Sequence, residues 1–332
     1  MRSAIVRNPR ALVGANAGLW HHAFAELQRR ASSCDQLETR GDAANVARIV
    51  ELLSRTRPTV VVAAGGDGTV SEVVQAMVAA ALDPAPALAI MPLGTANDIA
   101  RSFGLLSFRQ HGLIAVERAT AALIDGCDHR IDLGQVTANE RTRLFVGNFS
   151  VGMDADILAT RNRLQRQLRL GRGIGGYPLY LWSCAVNALA RRHGGRMRLR
   201  IDGAERIVRL YNLLVTNTPQ YAGEFRFDAD NAADDGRLDL HLFGGALDYL
   251  RRYPAAWRRH VRYHRGEVVA PPREIERVRE VLIELERPIA AQLDGEEWNA
   301  TARYCVRVVP NALAIRVPPS PSRESRARVT TT

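Results

Sequence analysis

No lysine occurs anywhere in this sequence of 332 residues, so arginine supplies all 45 of its strongly basic side chains. This absence excludes a phosphate-binding loop of the Walker A type, which places a lysine before its serine or threonine. It also excludes chemistry through a lysine Schiff base. The composition, with 46% hydrophobic and 24% charged residues and a formal net charge of +10, is typical of a soluble globular protein. The length allows two domains.

Cysteine is also scarce. The four cysteines are scattered along the chain without a Cys-x-x-Cys pair, at Cys34, Cys127, Cys184 and Cys305. This spacing favours neither a zinc site nor a redox pair, and it indicates a reducing compartment. The first ten residues, MRSAIVRNPR, contain no hydrophobic region of a signal peptide. We therefore expect a cytoplasmic protein.

One uncharged run, 173–190, is long enough to be considered as a membrane span. It contains three glycines, a proline, an asparagine and a serine, whereas transmembrane helices are more uniformly apolar. The run therefore predicts a partly buried or interfacial helix. No transmembrane span is expected.

The first third of the chain alternates apolar strand patterns with helical patterns. The strand patterns cover 3–9, 58–64 and 87–92, and the helical patterns cover 21–32, 43–55, 69–82 and 96–105. Alternation at this spacing predicts βαβ units with a parallel sheet. We expect residues 1–128 to form an α/β domain with a Rossmann-like sheet.

The pattern changes after about Asp128. Short strand patterns separated by Gly, Asp and Asn turns, among them TRLFVGNFSVG at 142–152, predict an antiparallel β-sandwich over 129–307. Two arginine-rich helical patches interrupt the strands, at 161–172 and 249–265. The tail, 318–332, is rich in Pro, Ser and Arg and is expected to be disordered.

The motif GGDGT, from Gly65 to Thr69, joins a buried strand pattern to a helical one. Glycines let the backbone approach a phosphate, and a helix N-terminus presents unpaired N–H groups and a partial positive charge. Thr69 is expected to cap the helix. Asp67 would repel a bare phosphate, so it indicates a cation beside the phosphate, most naturally Mg²⁺ on a nucleotide. On these residues alone, a simple strand-to-helix turn is an equal alternative.

A second strand-to-helix turn, PLGTAND, follows the next strand pattern. It brings the hydroxyl of Thr95 and the amide of Asn97 to the same carboxyl edge of the expected sheet. Ligands bind at that edge in open α/β folds. Two such turns on adjacent strands favour a binding site.

Near the C-terminus, LDGEEW gathers carboxylates in a tight turn that follows two strand patterns, 281–287 and 289–293. Like charges at close range raise one another's pKa, which suits one member to act as a general base. Asp-Gly is also the strongest short hairpin signal, so an ordinary hairpin turn is the alternative.

Together these residues resemble the diacylglycerol kinase catalytic-domain family, in its bacterial lipid kinase branch. The resemblance extends over about residues 3–315 and is carried, in order, by GGDGTVSEVV, PLGTANDIAR, IDLG at 131–134, GNFSVGMDADI at 147–157, DDGRLDL at 234–240 and LDGEEW at 293–298. It implies an α/β domain like those of NAD and diacylglycerol kinases, followed by an all-β antiparallel sandwich whose last strand, 308–317, returns to the first domain.

The resemblance also implies ATP-dependent phosphorylation of a lipid hydroxyl, on diacylglycerol or a related lipid, with Mg-ATP between the two domains. Glu296 would take the hydroxyl proton, with Asp294 and Asp67 as further catalytic residues. The NPxSG turn of the family is replaced here by NPRALVG. The nucleotide-binding positions carried over are Asn8, Thr39, Gly65, Gly66, Asp67, Gly68, Thr69, Val70, Ser71, Thr95 and Asn97.

The loop NAADDGRLDL resembles a structural metal site of related bacterial kinases. The ligands would be the carboxylate of Asp235 and the carbonyl oxygens of Ala232 and Arg237, which suit Mg²⁺ or Ca²⁺. The proline and alanine usual in the family are replaced here by Ala229 and Asn231. A metal-free Asp-Gly turn is the alternative.

The two arginine-rich patches mix arginine with aromatic residues, as at a lipid–water interface. As a pair in a lipid kinase they favour peripheral membrane association, although each alone also suits a solvated helix face. No nucleic-acid partner is expected, because no reader motif is present. The oligomeric state is open, a homodimer included.

Two other functions are alternatives. An NAD kinase-like enzyme shares GGDGT but lacks the PxGTxND and late DGE motifs that this sequence carries. A catalytically idle membrane-binding or regulatory protein is disfavoured because Asp67, Thr95 and Glu296 are all present.

Overall fold

The computed structural model describes residues 1–11, 15–30, 33–167, 176–189, 195–228, 230–269, 272 and 274–319. They divide into two compact units. The first contains Met1–Arg130 and the described residues from Ala314, and the second contains Ile131–Leu313. Most of the predicted tail, from 320 onward, lies outside the described residues.

In the first unit, parallel strands alternate with helices. The elements are β1 (Arg2–Arg7), α1 (Ala15–Arg30), β2 (Ser33–Glu38), α2 (Asn45–Thr56), β3 (Val60–Gly65), α3 (Asp67–Ala80), β4 (Ala87–Pro92), α4 (Asp98–Ser102) and α5 (Phe108–Asp125). The strands lie in the order β4-β3-β1-β2, each pair parallel. All residues of β3 and β4 are buried, as expected for strands covered by helices on both faces.

The second unit is mainly antiparallel. Its elements are β5 (Cys127–Ala138), β6 (Arg141–Phe145), β7 (Asn148–Gly152), α6 (Met153–Gln167), α7 (Gly176–Leu189), β8 (Arg196–Ile201), β9 (Ala204–Arg209), β10 (Asn212–Thr216), β11 (Leu238–Phe243), α8 (Ala246–His264), β12 (Glu276–Val278), β13 (Glu280–Leu293) and β14 (Glu296–Val317). The main order is β12-β11-β10-β7-β13-β14, with β8 and β9 extending from β13 and β6 pairing with β5. Buried Phe145, Phe149 and Tyr304 lie in its core. The end of β14, from Ala314, belongs to the first unit, where Ile315 pairs in parallel with Leu88 of β4.

The predicted fold class, a parallel α/β region followed by an antiparallel β region, is confirmed. Two boundaries differ from the prediction. The pattern TRLFVGNFSVG predicts one strand but forms two, β6 and β7, separated by Val146 and Gly147. The patterns 281–287 and 289–293 predict two strands but form one, β13, with register shifts between Glu284 and Ile289 and between Ile289 and Ala291.

Helix α7 occupies most of the uncharged run 173–190, whose first three residues and last residue lie outside the described part of the chain. Among the residues that the structure describes, no helix combines the length and the apolar character needed to cross a membrane.

Candidate functional site

The GGDGT turn begins its helix earlier than the sequence predicts. Gly66 is the N-cap of α3, with extended backbone, and Asp67 is the first helical residue. The carbonyl oxygen of Gly66 accepts hydrogen bonds from the N–H groups of Thr69 (2.9 Å) and Val70 (3.1 Å). The prediction that Thr69 caps the helix is therefore wrong, because the cap is at Gly66, whose missing side chain leaves only backbone there.

The two predicted turns lie directly against each other. A Cβ atom on Gly94 would lie 2.4 Å from the Cα of Gly66 and 2.6 Å from Oδ1 of Asn97. Likewise a Cβ atom on Gly65, the last residue of β3, would lie 2.3 Å from Oγ1 of Thr69. Close packing of the turns therefore requires these glycines, independently of any phosphate.

This contact predicts the effect of adding one methyl group. The Gly94→Ala variant is expected to lose about 1–3 kcal/mol of unfolding free energy, because backbone atoms of Gly66 cannot move aside cheaply. Gly18→Ala is the control, since Gly18 lies in α1 with no atom within 4 Å of an added Cβ atom, and it should gain about 0.5–1 kcal/mol. Urea unfolding measures both. Equal stability of the Gly94→Ala variant and the wild type would contradict the packing argument.

Asp67 joins the two turns through a backbone contact. Its Oδ1 accepts a hydrogen bond from the N–H of Ile99 (3.1 Å), in the first turn of α4. Desolvation raises the pKa of the Asp67 carboxyl, while the N–H groups of Ile99 and Asp98 act to lower it. The carboxylate thus has backbone partners without a metal, and its place beside Mg²⁺ stays a prediction.

The other residues of the two turns differ in what they expose. Thr69, Val70 and Ser71 are buried in α3, and their place beside a nucleotide stays a prediction. Gly68 is partly exposed and Thr95 is exposed. Asn97 is 2% exposed and adopts a left-handed conformation. Its amide nitrogen donates to the carbonyl oxygens of Pro92 (3.2 Å) and Gly94 (2.8 Å), so Asn97 shapes its own turn.

Asn8 and Thr39 lie at the carboxyl ends of β1 and β2. The amide nitrogen of Asn8 donates to Oγ1 of Thr69 at 3.4 Å, which places Asn8 at the start of α3, and its contact with a nucleotide stays a prediction. Thr39 is buried, and its N–H donates to the carbonyl oxygen of Arg7 (2.9 Å). A cavity of about 470 Å³ opens at this edge of the first unit, lined by Pro9, Arg10, Gln36, Leu37, Glu38, Thr39, Arg40 and Arg48.

Sequence reasoning missed a buried contact that holds this edge together. Asn45, which is 1% exposed at the start of α2, donates to both carboxylate oxygens of Glu72 in α3 (3.0 and 3.1 Å). Its Oδ1 accepts the N–H of Arg40 (3.0 Å). The contact fixes the loop after Thr39 to the helix that follows the GGDGT turn. No local pattern indicates it, because Asn45 and Glu72 belong to different elements.

In the second unit, LDGEEW forms a two-residue hairpin turn between β13 and β14. Asp294 and Gly295 both have positive φ angles (47° and 80°), and Leu293 pairs with Glu296. Asp294 is buried, and its carboxylate accepts three backbone hydrogen bonds, from the N–H groups of Val146 (2.9 Å), Gly147 (2.8 Å) and Asn148 (2.9 Å). The hairpin that the sequence offers as an alternative is therefore present, fixed by a carboxylate facing inward.

The two glutamates of the motif lie outside this buried contact. Glu296 is the first residue of β14 and its side chain is exposed. Glu297 is also exposed, and its Oε1 accepts a hydrogen bond from the amide nitrogen of Asn162 in α6 (2.6 Å). The turn thus separates its three carboxylates, with Asp294 held by backbone and Glu296 presented at the surface of the unit.

The predicted metal loop is organised by Asp132, from the motif IDLG. The carboxylate of Asp132, which is 1% exposed, accepts the N–H groups of Gly236 (2.6 Å) and Asn311 (2.8 Å). Asp235 is exposed, and one of its oxygens accepts the N–H of Arg237 (2.9 Å). Ala232 is half-buried beside it. Protein groups thus shape the loop, and a metal on Ala232, Asp235 and Arg237 stays a prediction.

Two buried carboxylates lie near this loop. Asp228 and Asp239 are 3% and 4% exposed, and one arginine, Arg277, contacts both, at 3.5 and 3.6 Å. Burial, followed by repulsion from Asp228, raises the pKa of Asp239 to about 7, although Arg277 acts to lower it. His241 is fully buried, and its pKa is lowered to about 3, first by burial and then by Arg252.

The raised pKa predicts a pH-dependent penalty. Between the ordinary value of 3.8 and about 7, folded Asp239 binds a proton that the unfolded chain does not, so its contribution to stability falls as the pH rises through this window. Asp239→Asn should therefore stabilise the protein at about pH 8, by a margin that shrinks by about 2–3 kcal/mol at about pH 5. The contribution of buried His241 to stability rises with pH, because its pKa is lowered on folding. His241 is present in both the variant and the wild type, so its contribution cancels in the difference between them at each pH. A margin that does not change with pH in urea unfolding would contradict the assignment.

The residues of the first unit fit nucleotide phosphates better than they fit a resident cation. The start of α3 and the arginines that line the cavity suit anions. Asp67 is one carboxylate, already bonded to backbone. In the part of the chain that the structure describes, no three His, Cys, Asp or Glu side chains gather as metal ligands. A catalytic Mg²⁺ would therefore be held largely by the nucleotide.

Comparison with known families matches both parts of the chain. Residues 2–136 match the model for the diacylglycerol kinase catalytic domain, and residues 147–317 match the model for the YegS C-terminal NAD kinase beta sandwich-like domain. A Bacillus subtilis protein named diacylglycerol kinase is 27% identical over 67% of this chain and 65% of its own length. A Shigella flexneri protein named "Probable lipid kinase YegS" is 30% identical over 62% of each chain. These matches thus span somewhat less than two thirds of those relatives.

Solved structures show the same fold. A diacylglycerol kinase from Bacillus anthracis superposes with a TM-score of 0.66 over 96% of this chain and 97% of its own, at 16% identity. The sandwich family alone covers more than half of the sequence, and the catalytic-domain family precedes it. The chain therefore belongs to the diacylglycerol kinase catalytic-domain family, in its bacterial lipid kinase branch.

Proposed function

We propose that this protein is an ATP-dependent kinase that phosphorylates the hydroxyl group of a lipid, diacylglycerol or a related lipid. The observation that carries the proposal is the buried Asp294 turn, which presents the exposed Glu296 in a member of this family. The names of the relatives, diacylglycerol kinase and lipid kinase, support the substrate class.

In this proposal the first unit is the nucleotide domain. The N-terminus of α3 supplies backbone N–H groups and a partial positive charge for the phosphates. The arginines that line the 470 Å³ cavity, Arg10, Arg40 and Arg48, add positive charge at the same edge, beside Asn8 and Thr39. Asp67 holds the two turns in register through Ile99. Mg²⁺, when bound with ATP, would neutralise charge on the phosphates.

The second unit supplies the base. The oxygen of the lipid hydroxyl attacks the γ-phosphorus of ATP, the bond from that phosphorus to the β-γ bridging oxygen breaks, and ADP leaves. The carboxylate of Glu296 takes the hydroxyl proton. Asp294 acts as a positioning residue, since its two oxygens are occupied by backbone N–H groups. The loop at Ala232, Asp235 and Arg237 would hold a structural cation.

Release of ADP in the presence of lipid vesicles tests the proposal. Vesicles containing diacylglycerol should stimulate ADP release, whereas matched vesicles containing triacylglycerol, which has no free hydroxyl, should not. Stimulation by both lipids alike would show that a hydroxyl acceptor is not involved, and stimulation by neither would remove diacylglycerol as substrate.

A further inference from the structure

Helix α8 is fastened to the second unit by one face. Tyr249, Tyr253 and Ala256 are buried on that face in an aromatic cluster with Phe227 and Phe243. The hydroxyl groups of Tyr249 and Tyr253 donate to the carboxylate of Asp154, at 2.7 and 2.5 Å. Asp154 is the second residue of α6 and also accepts a bond from the amide of Asn212 (2.7 Å). These buried hydrogen bonds hold the helix in a fixed orientation.

The outward side of the same helix carries apolar side chains. Leu247 is 85% exposed, Leu250 is 66% exposed and Trp257 is 47% exposed, and Pro254 between them is exposed as well. Positions 247, 250, 254 and 257 follow one another at intervals of three and four, so they form one stripe along the helix. We refer to these four residues as the apolar stripe. Neighbouring exposed leucines and a tryptophan on one face are typical of a surface that binds a protein partner, a membrane or a ligand.

A row of arginines runs beside the apolar stripe. Arg251, Arg258, Arg262 and Arg265 follow at intervals of seven, four and three residues, and all four are exposed. Arg251 pairs with Glu274 (2.7 Å) and Arg262 with Glu267 (2.7 Å). Asp248 is the one acidic residue of the helix itself. The glutamates offset the charge of Arg251 and Arg262, so the positive charge beside the apolar stripe rests on Arg258 and Arg265.

We propose that this face of α8 binds the surface of a bilayer that contains anionic phospholipids. The leucines and Trp257 would enter the boundary between headgroups and acyl chains, and the arginines would contact lipid phosphates. The inference rests on the proposed lipid kinase function, because it names the surface from which the enzyme takes its substrate. A second copy of the chain fits this face less well, since a twofold contact would bring two arginine rows to one interface.

Cosedimentation of the full chain with vesicles, without nucleotide, tests the inference. The wild type should bind vesicles of phosphatidylcholine mixed with phosphatidylglycerol more tightly than vesicles of phosphatidylcholine alone. The Leu247→Ser, Leu250→Ser double variant should lose about tenfold or more in partition coefficient. In the Arg258→Ala, Arg265→Ala double variant, the partition coefficient for the mixed vesicles should fall about fivefold for each arginine removed. Ile207→Ser is the matched control, since Ile207 is 64% exposed on β9, and it should bind like the wild type.

Two results would overturn the inference. One is wild-type vesicle binding by the leucine variant, confirmed as folded by an unchanged melting temperature. The other is dissociation of a dimer by the leucine variant in size-exclusion chromatography with unchanged vesicle binding, which would assign the stripe to a second copy. The cosedimentation assay contains no nucleotide, so it tests vesicle binding separately from phosphotransfer. Vesicle binding through the stripe by a protein that transfers no phosphate would count against the proposed kinase alone. Phosphotransfer by a protein whose vesicle binding does not depend on the stripe would count against this inference alone.

Discussion

Replacing Glu296 by glutamine is expected to lower kcat for lipid phosphorylation by about 10²–10⁴-fold and to leave the fold intact. Glutamine has nearly the shape of glutamate but cannot accept the hydroxyl proton. The side chain is exposed at the start of β14, so its replacement breaks no buried contact. The measurement is the initial rate of label transfer from ATP at saturating lipid, together with the melting temperature.

Glu297→Gln is the matched control for this prediction. Glu297 is the next residue, is also exposed and bonds to Asn162. We expect its rate to stay within a few-fold of the wild type, since it has no assigned part in proton transfer. Equal rates for Glu296→Gln and the wild type would remove Glu296 as the base. An equal loss of kcat in both variants would indicate that the rate depends on the total negative charge of the turn and not on Glu296 as a single base.

The Asp294→Ala variant is expected to lose about 3–5 kcal/mol of unfolding free energy, along with activity. Alanine would leave three buried backbone N–H groups, those of Val146, Gly147 and Asn148, without their acceptor. An unsatisfied buried donor costs about 1–3 kcal/mol, and partial entry of water recovers some of the sum. Urea unfolding of the full chain, compared between the variant and the wild type, measures the loss of unfolding free energy.

Asp235→Ala is the control for Asp294. Asp235 also lies beside a glycine in a turn, but it is exposed and accepts one backbone bond, from Arg237. Both variants are compared with the wild type in the presence of EDTA, so that a cation in the Asp235 loop does not contribute, and the replacement of Asp235 should then cost about 0.5–1 kcal/mol. If Asp294→Ala were as stable as the wild type and inactive, Asp294 would act in the chemistry itself, as the family resemblance implies, and its role as a positioning residue would be wrong.

The fold is predictable because its elements have strong local patterns. Strands β3 and β4 are continuous apolar runs, which are typical of parallel strands buried on both faces. The turns after them carry glycines that no ordinary helix interior would contain. Boundaries are less predictable where a distant residue decides them. The break between β6 and β7 lies where N–H groups turn to Asp294, about 150 residues further along the chain.

The motifs predict the site, but they do not give the reasons for its residues. The sequence explains Asp67 through a cation, whereas its observed partner is the N–H of Ile99. The sequence explains the glycines by the close approach of a phosphate. In the structure, a side chain on Gly94 would also collide with the backbone of Gly66. Asn45 with Glu72, and Asp132 with its loop, carry no local signal. Such contacts join residues far apart in sequence, and no periodicity or spacing encodes them.

The same limit applies to α8. Its sequence shows mixed arginine and aromatic residues, which favour a membrane surface together with the second patch but also suit a solvated helix face when α8 is taken alone. The structure distinguishes two sets of residues in this helix: Tyr249 and Tyr253 are buried against Asp154, whereas Leu247 and Leu250 are exposed. Only the packed helix shows which apolar residues belong to the core and which remain for a partner.

Competition between two acceptors for one labelled phosphate tests the central claim most directly. Wild-type protein is given γ-labelled ATP with Mg²⁺, diacylglycerol vesicles and NAD⁺ in one mixture, and the products are separated by chromatography. The proposed function predicts label in phosphorylated lipid and none in NADP. Label in NADP, with the lipid unlabelled, would contradict it and identify an NAD kinase.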